Sequence, residues 1–319
     1  FQAEDGIRDS VASRGLGDVY KRQGSPVLRV DCAFGAGLLL ETLVLSVLNH
    51  DCAVASAAAR MHDVANGRHL IEMGGRRTHE EAAVAAARAA WLVGFDTTSN
   101  MEAGIRFNVP TAGTSAHAFT LAHDDEESAF EAQIEAHGLE TTLLVDTYEI
   151  DTGIDRALAA AKRLGGVPGA IRIDSGNLAK EALRAREKLD ANDAESTRIV
   201  VSGDLDEYRI ADLAHLPIDG YGVGTQLVVG SGHATAGMVY KLVAIARRSG
   251  AYEPVVPVAK SSEGKATRGG VVRPYRIIDQ GTAIDEILVQ HDRPGPPDAR
   301  ALHVPVSYTH LRAHETLRY

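Results

Sequence analysis

"TTLLVDTYEIDTGIDRALAAAKRLGGVPGAIRIDSGN", Thr141 to Asn177, decides how the chain folds. A short apolar run ends at a polar tip, Asp146; a helical stretch follows; a second apolar run ends at Asp174-Ser175-Gly176. This order is the pattern of parallel strands joined by crossover helices. The beat returns on both sides, in the runs "WLVGFDTTSN", "VPTAGTSAHAF", "RIVVSGDL" and "IDGYGVGTQ", with "MEAGIRFN", "DEESAFEAQIEAHG", "LAKEALRAREKLD" and "DEYRIADLAHL" as the helices. About six units, with no GxGxxG after the first strand, favour an α/β barrel or partial barrel over a Rossmann sheet. Asp96, His117, Asp146, Asp174, Gly203 with Asp204, and Gly222 with Gly224 then stand at predicted strand ends, which converge on one mouth.

The totals agree with this fold class. In 319 residues, 45% are apolar and only 5% aromatic, with long Ala-rich runs that suit helices packed on a sheet. A net charge of −10 argues against broad binding to nucleic acid or anionic membrane, so an anionic ligand needs a local Arg or Lys cluster. Cys32 and Cys52 lack CxxC spacing and are expected to be buried, inert thiols of a reduced cytoplasmic protein. "GLLLETLVLSVL" falls short of the roughly 20 apolar residues that span a bilayer and is expected to be a buried helix. No signal peptide pattern opens the chain, which again points to the cytoplasm.

Residues 1–23 and 305–319 share neither the composition nor the periodicity of the middle and read as translated adapter sequence, not native protein. The domain-like sequence starts in mid-fold, so the chain is expected to be a fragment. The expected division is a partial N-terminal domain with connecting helices over 24–75, a barrel carrying the site over 76–250, and a returning segment over 251–304. In "RTHEEAAVAAARAAWLVG", Thr78 and Glu81 predict a capping box, with Val84, Ala87 and Trp91 on the buried face.

Several motifs carry possible chemistry. Arg76 and Arg77 follow two glycines, where paired guanidiniums suit a phosphate or carboxylate; the alternative is a solvated pair at a helix start. In "IRIDSGN", Arg172 suits an anionic ring substituent and Asp174 a ribose hydroxyl or a magnesium-bound water; the alternative is a surface ion pair. "VSGDLDE" and "YGVGTQLVVGSG" supply glycines for lining a phosphate, or for tight turns alone. "PVAKSSEGKATRGG" adds Lys260, Ser261, Ser262 and Lys265 as a phosphate clamp or a surface turn. His117, among the small residues Thr114, Ser115, Ala116 and Ala118, reads as a core histidine, a metal ligand, a general base or a nucleophile toward phosphorus; no HxH or HExxH spacing supports the metal.

Taken in order, "EMGGRRTHEEAAVAAARAAWLVGFDTTSNMEAGIRFNVPTAGTSAHAFTL", "LLVDTYE", "IRIDSGN", "VSGDLDEY", "YGVGTQLVVGSGHATAGMVYKLV" and "PVAKSSEGKATRGG" resemble the nicotinate phosphoribosyltransferases, most of all their actinobacterial-type branch. The resemblance covers Gly24 to the 270s. It implies an incomplete TIM-like α/β barrel joined to an N-terminal α/β sandwich domain, of which only part is present. It also implies a reaction of nicotinate with phosphoribosyl pyrophosphate that gives nicotinate mononucleotide and pyrophosphate in NAD synthesis. That step is coupled to ATP hydrolysis through a phosphohistidine, with Mg2+ and a homodimer whose sites are shared.

Carried over by motif, His117 is the phosphoacceptor, and Arg76 and Arg77 lie near the base and pyrophosphate. Asp96 faces the pyridine ring, Arg172 and Asp174 with Ser175 contact base and ribose, and Gly203 and Asp204 bind the ribose hydroxyls. Gly222, Gly224 and Thr225 form the 5′-phosphate loop, with Thr114, Lys260 and Ser262 as further substrate contacts and Asp174 as the metal residue through water. Asn177 stands where the family often has Asp, and Met73 where many members have Phe. The competing readings are a nicotinamide or quinolinate phosphoribosyltransferase, a non-catalytic barrel that only associates with intact subunits, and a metal-dependent barrel hydrolase.

Overall fold

In a computed structural model, the described residues are 2–3, 25–246, 255–261, 268–280 and 282–302; the proposed adapter ends therefore lie almost wholly outside them. The chain divides into two compact units, one built on residues 51–234 and the other on 18–50 with 235–319. A two-residue strand, β1 (Gln2–Ala3), belongs to the second of these.

Helix α1 (Phe34–Ala65) contributes to both units. From Ala53 on it is core: Val54, Ala57, Ala58, Met61 and Ala65 are buried in the barrel unit. Its first half corrects the expectation of a buried helix, because Phe34, Leu38, Leu39, Leu43 and Val47 are exposed. By length and composition alone α1 is apolar enough to cross a membrane. Asn66 and Gly67, both at positive φ, end it. The expected burial of the thiols is corrected too: Cys32 is exposed and Cys52 half-buried.

The barrel unit follows α1 as a regular alternation. Strand β2 (His69–Glu72) leads through a 3-10 turn (Gly74–Arg76) into α2 (Glu80–Leu92), then β3 (Thr97–Thr98), α3 (Met101–Phe107), α4 (His117–Leu121) and α5 (Glu126–His137). After them come β4 (Thr142–Leu144), α6 (Ile150–Arg163), β5 (Ala170–Ile173), α7 (Leu178–Asp190), β6 (Arg198–Ser202), α8 (Glu207–Leu213), β7 (Gly220–Val223) and α9 (Thr225–Val228). The six strands form one curled parallel sheet, ordered β3-β2-β7-β6-β5-β4. First and last strands pair directly, His69 opposite Gly220 through Glu72 opposite Val223, while β3 and β4 do not pair. The half-barrel is therefore closed on the β2–β7 side and open between β3 and β4.

Alternation explains which residues face which way. Leu70, Leu143, Val145, Ile171, Ile173, Ile199, Val201, Tyr221 and Val223 join the helices in the main core. Ile71, Ala170 and Val200, with Met73 against them, form a separate cluster inside the curl. Gly222 is a glycine because a Cβ there would lie 2.7 Å from Met73 Sδ and 3.1 Å from Ser202 Cβ.

Two local expectations are corrected. His79, not Thr78, precedes α2, no side chain caps that helix, and Glu81 instead takes Arg106 Nη1 and Nη2 at 2.7 and 3.0 Å. The run "VPTAGTSAHAF" is not a strand but a single bridge, Thr111 to Thr98, followed by α4. Trp91 is only partly buried, packed with Phe107 on a small cluster of Val84, Ala87, Ala103 and Val109.

In the other unit, β8 (Met238–Val239) pairs antiparallel with β1, and β9 (Ala244–Ile245) with β10 (Val256–Pro257). Strands β11 (Val272–Asp279), β12 (Thr282–Gln290) and β13 (Ala299–Ala301) form an antiparallel sheet with β11 in the middle. Asn49 clamps β8, accepting from Met238 N at 2.6 Å and donating to Met238 O at 3.2 Å.

Candidate functional site

The strand carboxyl ends gather one polar cluster. Arg172 points into the curl from β5, and its guanidinium spends three nitrogens on three acceptors: Nε to Ser202 Oγ, Nη1 to Thr114 Oγ1 and Nη2 to Asp174 Oδ1, each at 2.8 Å. Its side chain is only 12% exposed, so it is no surface ion pair. Ser202 also donates to Asp174. Burial works to raise the Asp174 carboxyl, but the Ser202 hydroxyl and the Arg172 guanidinium, with a smaller contribution from nearby His117, outweigh it and hold it below the usual carboxylate range. Asp174 thus stays anionic at neutral pH beside a fixed cation.

Asp146, at the end of β4, fixes the loop after β5: its Oδ2 accepts from Asp174 N at 2.9 Å and from Ser175 Oγ at 2.6 Å. Its Oδ1 is buried with no hydrogen-bond partner among the described residues, as is Glu126 Oε1. Glu126 is wholly buried and takes Arg156 Nη1 at 3.0 Å on its other oxygen. Burial, with the neighbouring charge of Asp146, pushes the Glu126 carboxyl up against the opposing pull of Arg156.

His117 is the first residue of α4, not the end of a strand, and is half-buried. Its Nδ1 lies 3.2 Å from Thr147 Oγ1, on the residue after Asp146. With Nδ1 as the donor in that contact, the Nε2 lone pair is left for an incoming electrophile. Gln133 braces the segment that carries His117. Its Oε1 accepts from Ser115 Oγ at 2.6 Å, and its Nε2 donates to Thr141 Oγ1 at 2.8 Å and Thr142 O at 2.9 Å. These bonds bridge the open side of the sheet.

A second group assembles where β2 meets β7. Gly74 approaches so closely that a Cβ would stand 2.2 Å from Val228 Cγ1 and 3.1 Å from Gly224 O. The turn bearing Arg76 and Arg77 is thereby pressed against the Gly224-Thr225 start of α9. Both arginines are exposed, and among the described residues neither has a side-chain partner, which leaves their guanidiniums available to an anion. Glu72 holds the turn from below: Oε1 accepts from Gly74 N and Oε2 from Thr98 Oγ1, each at 2.5 Å. Burial raises its carboxyl, and the Thr98 and Gly74 bonds pull it partly back. After β6, Gly203 and Asp204 both take positive φ, and a Cβ on Gly203 would lie 2.8 Å from Asp174 O.

The structure therefore brings Thr114, His117, Arg172, Asp174, Ser175, Gly203 and Asp204 to one end of the sheet, and Arg76, Arg77, Gly222, Gly224 and Thr225 to the adjoining strands. It does not bring Asp96 there. Asp96 precedes β3, where its Oδ2 accepts from Leu70 N at 2.8 Å and lies 3.5 Å from His69 Nδ1, so its carboxylate is engaged by the first residues of β2 and not by the polar cluster. The cause is length: α2 runs to Leu92 and the chain turns at Gly94, so the strand starts later than its apolar run. Lys260 lies in the other unit, and Ser262 and Lys265 lie outside the described residues. Asn177 caps α7, accepting from Lys180 N at 3.2 Å. Sequence reading missed Glu72, Thr98, Ser202, Thr147, Gln133 and Glu126; for Glu72 and Ser202 the available signal was a polar residue closing an apolar strand.

Among the described residues no group of three or more His, Cys, Asp or Glu could hold a metal ion alone. Magnesium, which keeps several waters and binds phosphates, needs only one or two carboxylates, and the partnerless buried Oδ1 of Asp146 with the anionic Asp174 fits that requirement.

The model of the Nicotinate phosphoribosyltransferase (NAPRTase) family matches residues 68–269. The chain is 54% identical over 299 residues to a nicotinate phosphoribosyltransferase of Mycobacterium tuberculosis, covering 91% of this chain and 64% of that protein. To the Bacillus subtilis nicotinate phosphoribosyltransferase it is 39% identical, over 80% of this chain and 53% of that one. In structure it is similar to human nicotinic acid phosphoribosyltransferase, with a TM-score of 0.65 and 26% identity over 81% of this chain and 59% of that chain. A nicotinate-nucleotide pyrophosphorylase from Pyrococcus furiosus also gives 0.65 and 26%, over 82% and 64%. The chain thus spans less than two thirds of the length of these relatives, and through its matched barrel it belongs to the nicotinate phosphoribosyltransferase family.

Proposed function

We propose that this chain carries the barrel of a nicotinate phosphoribosyltransferase, which joins nicotinate to phosphoribosyl pyrophosphate, releases pyrophosphate and couples the step to ATP hydrolysis through phosphorylation of His117. The observation that carries the reading is the Arg172 cluster: a nearly buried guanidinium held by Thr114, Asp174 and Ser202, with His117 within electrostatic reach of Asp174. In this reading Arg172 meets the carboxylate of the base and Arg76 and Arg77 meet the pyrophosphate. As the pyridine nitrogen attacks C1 of the ribose and the C1–O bond to pyrophosphate breaks, the transition state carries positive charge on the sugar and negative charge on the departing pyrophosphate, and the product keeps its positive charge on the pyridinium. Fixed cations beside an anionic Asp174 suit that separation.

Asp174 and Asp146 would hold Mg2+, partly through water, and the ion would neutralise pyrophosphate oxygens. Imidazole Nε2 would take the terminal phosphoryl group of ATP with release of ADP, placing negative charge close to the anionic loop and changing its affinities, and water would then cleave the P–N bond to release phosphate. The names of the relatives support nicotinate as the base. The working form in this proposal is a homodimer, which light scattering would check. Replacing His117 by Ala is expected to abolish stimulation by ATP and leave slow ATP-independent transfer. Equal stimulation in the variant would refute the phosphoacceptor role, and a panel of nicotinate, nicotinamide and quinolinate tests the base.

A further inference from the structure

The antiparallel sheet of the other unit carries a second basic cluster. β11 and β12 pair with Val272 opposite Gln290, and His291 N donates to Val271 O at 2.9 Å, so the register sets His291 at the sheet end next to Arg273. Arg29, from the segment before α1, reaches the same ring. Its Nη1 lies 3.3 Å from His291 Nδ1, and Arg273 Nη2 lies 3.4 Å from His291 Nε2.

Donor counting makes this arrangement incomplete. A guanidinium only donates; a neutral imidazole accepts at one nitrogen, and a protonated one at neither. In either tautomer at least one guanidinium N–H therefore faces a ring N–H. Asp31 offsets Arg29 through Oδ1 at 3.0 Å and Oδ2 at 2.8 Å, but among the described residues no carboxylate pairs with Arg273. The ring is exposed, and partial desolvation by its neighbours first, then the charges of Arg273 and Arg29, set the imidazole below its usual range, with Asp31 and Asp292 opposing them by less. An oxyanion at this point accepts from both guanidiniums and from a ring N–H, which removes the donor-to-donor contact.

We infer that Arg29, Arg273 and His291, all in the unit that does not hold the barrel strands, form a binding site for a tetrahedral phosphate-type oxyanion. Binding draws a proton from solvent onto His291, so the site holds its anion more tightly as pH falls. Free phosphate and the phosphates of a nucleotide share this chemistry.

The test follows the ring resonance of His291 by NMR in the whole chain, labelled with 13C at histidine and assigned by its loss in His291→Asn. Inorganic phosphate, pyrophosphate and ATP are titrated in separate arms against chloride of equal ionic strength. At least one oxyanion is expected to shift the resonance and to bind about tenfold more tightly at about pH 6 than at about pH 8, and the arm with the lowest half-saturation names the source. Arg273→Gln is expected to weaken binding about tenfold while keeping the resonance. A ring that titrates identically in chloride and in every oxyanion up to about 20 mM, or an affinity unchanged in Arg273→Gln, overturns the site. Because the reporter is local, ATP bound elsewhere does not register as success.

Discussion

Strands β4–β7 and the stretch from β2 through α4 end at the same mouth but are held there by different means. In the first region sheet register does the positioning: Arg172 faces Val200, Ser202 faces Gly222, and the functional side chains follow from alternation. The second region has a two-residue strand, one bridge and a five-residue helix, and single polar side chains take the place of ladders. Glu72 ties Gly74 to Thr98, Gln133 ties Ser115 to Thr141 and Thr142, and Thr147 meets His117. A site residue can therefore be changed in the first region with little harm to the fold, whereas in the second a prop far from the chemistry matters to the fold itself.

The sharpest break of this contrast is Arg172→Ala. Removing three charged bonds at the centre of the regular half is expected to lower kcat/KM for nicotinate by about 10²–10³-fold while leaving the melting temperature within about 2 °C. Arg172→Lys recovers little of that loss, because a point charge does not reach three acceptors at once. Steady-state kinetics on nicotinate and on phosphoribosyl pyrophosphate check this. A loss confined to phosphoribosyl pyrophosphate would move Arg172 away from the base.

Glu72→Ala tests the other half. Two buried bonds disappear and Gly74 N and Thr98 Oγ1 lose their acceptor, so urea unfolding is expected to show about 3 kcal/mol less stability. Glu72→Gln separates charge from shape. Because burial raises the carboxyl, the folded state binds its proton more tightly than the unfolded chain does. The contribution of Glu72 is then fully present below the ordinary carboxylate value and declines as pH rises through the folded one. The Gln variant is expected to lose less stability than the parent between about pH 4 and about pH 7. Parallel curves would mean that Glu72 folds as an ordinary acid.

The same contrast explains what the sequence disclosed. The helix read in "LAKEALRAREKLD" has the bounds of α7, and "TTLLVDTYE", "GAIRIDSGN", "RIVVSGDL" and "IDGYGVGTQ" each contain their strand. Apolar period and turn residues are local signals, and they suffice where each strand is paired on regular neighbours. In "VPTAGTSAHAF" the residues are too small to show a period, so a bridge and a helix start looked like a strand. Asp96 was misplaced because the apolar run before β3 begins inside α2. The bonds of Glu72 to Thr98, Gln133 to Ser115 and Ser202 to Arg172 span 18 to 30 residues, and no spacing within one segment reports that.

Gln133→Leu comes next in size. It keeps most of the volume but removes three hydrogen bonds across the gap between β3 and β4, and about 2 kcal/mol of stability is expected to go with them. ATP stimulation should weaken along with stability, since Ser115 is two residues from His117. Stability lost with ATP stimulation intact would show that His117 is positioned by Thr147 alone.

The smallest effect compares two glycines, one in each region. An alanine at 222 meets Met73 Sδ at 2.7 Å, a flexible end that can yield, and Ser202 Cβ at 3.1 Å, which is tethered through Arg172. About 1 kcal/mol of stability is expected to be lost, together with some nicotinate affinity as Ser202 shifts. An alanine at 113 meets nothing within 4 Å. It faces a cavity of about 190 Å³ that Thr114, Ile71, Val200 and Gly220 also line. Gly113→Ala should therefore change stability by less than about 0.5 kcal/mol. Measured beside Gly222→Ala, it reads the use of that space: stability and kinetics both unchanged mean that the cavity stays empty through the reaction. A fall in kcat/KM at constant stability means that the irregular half closes on substrate at Gly113, next to the threonine that already holds Arg172.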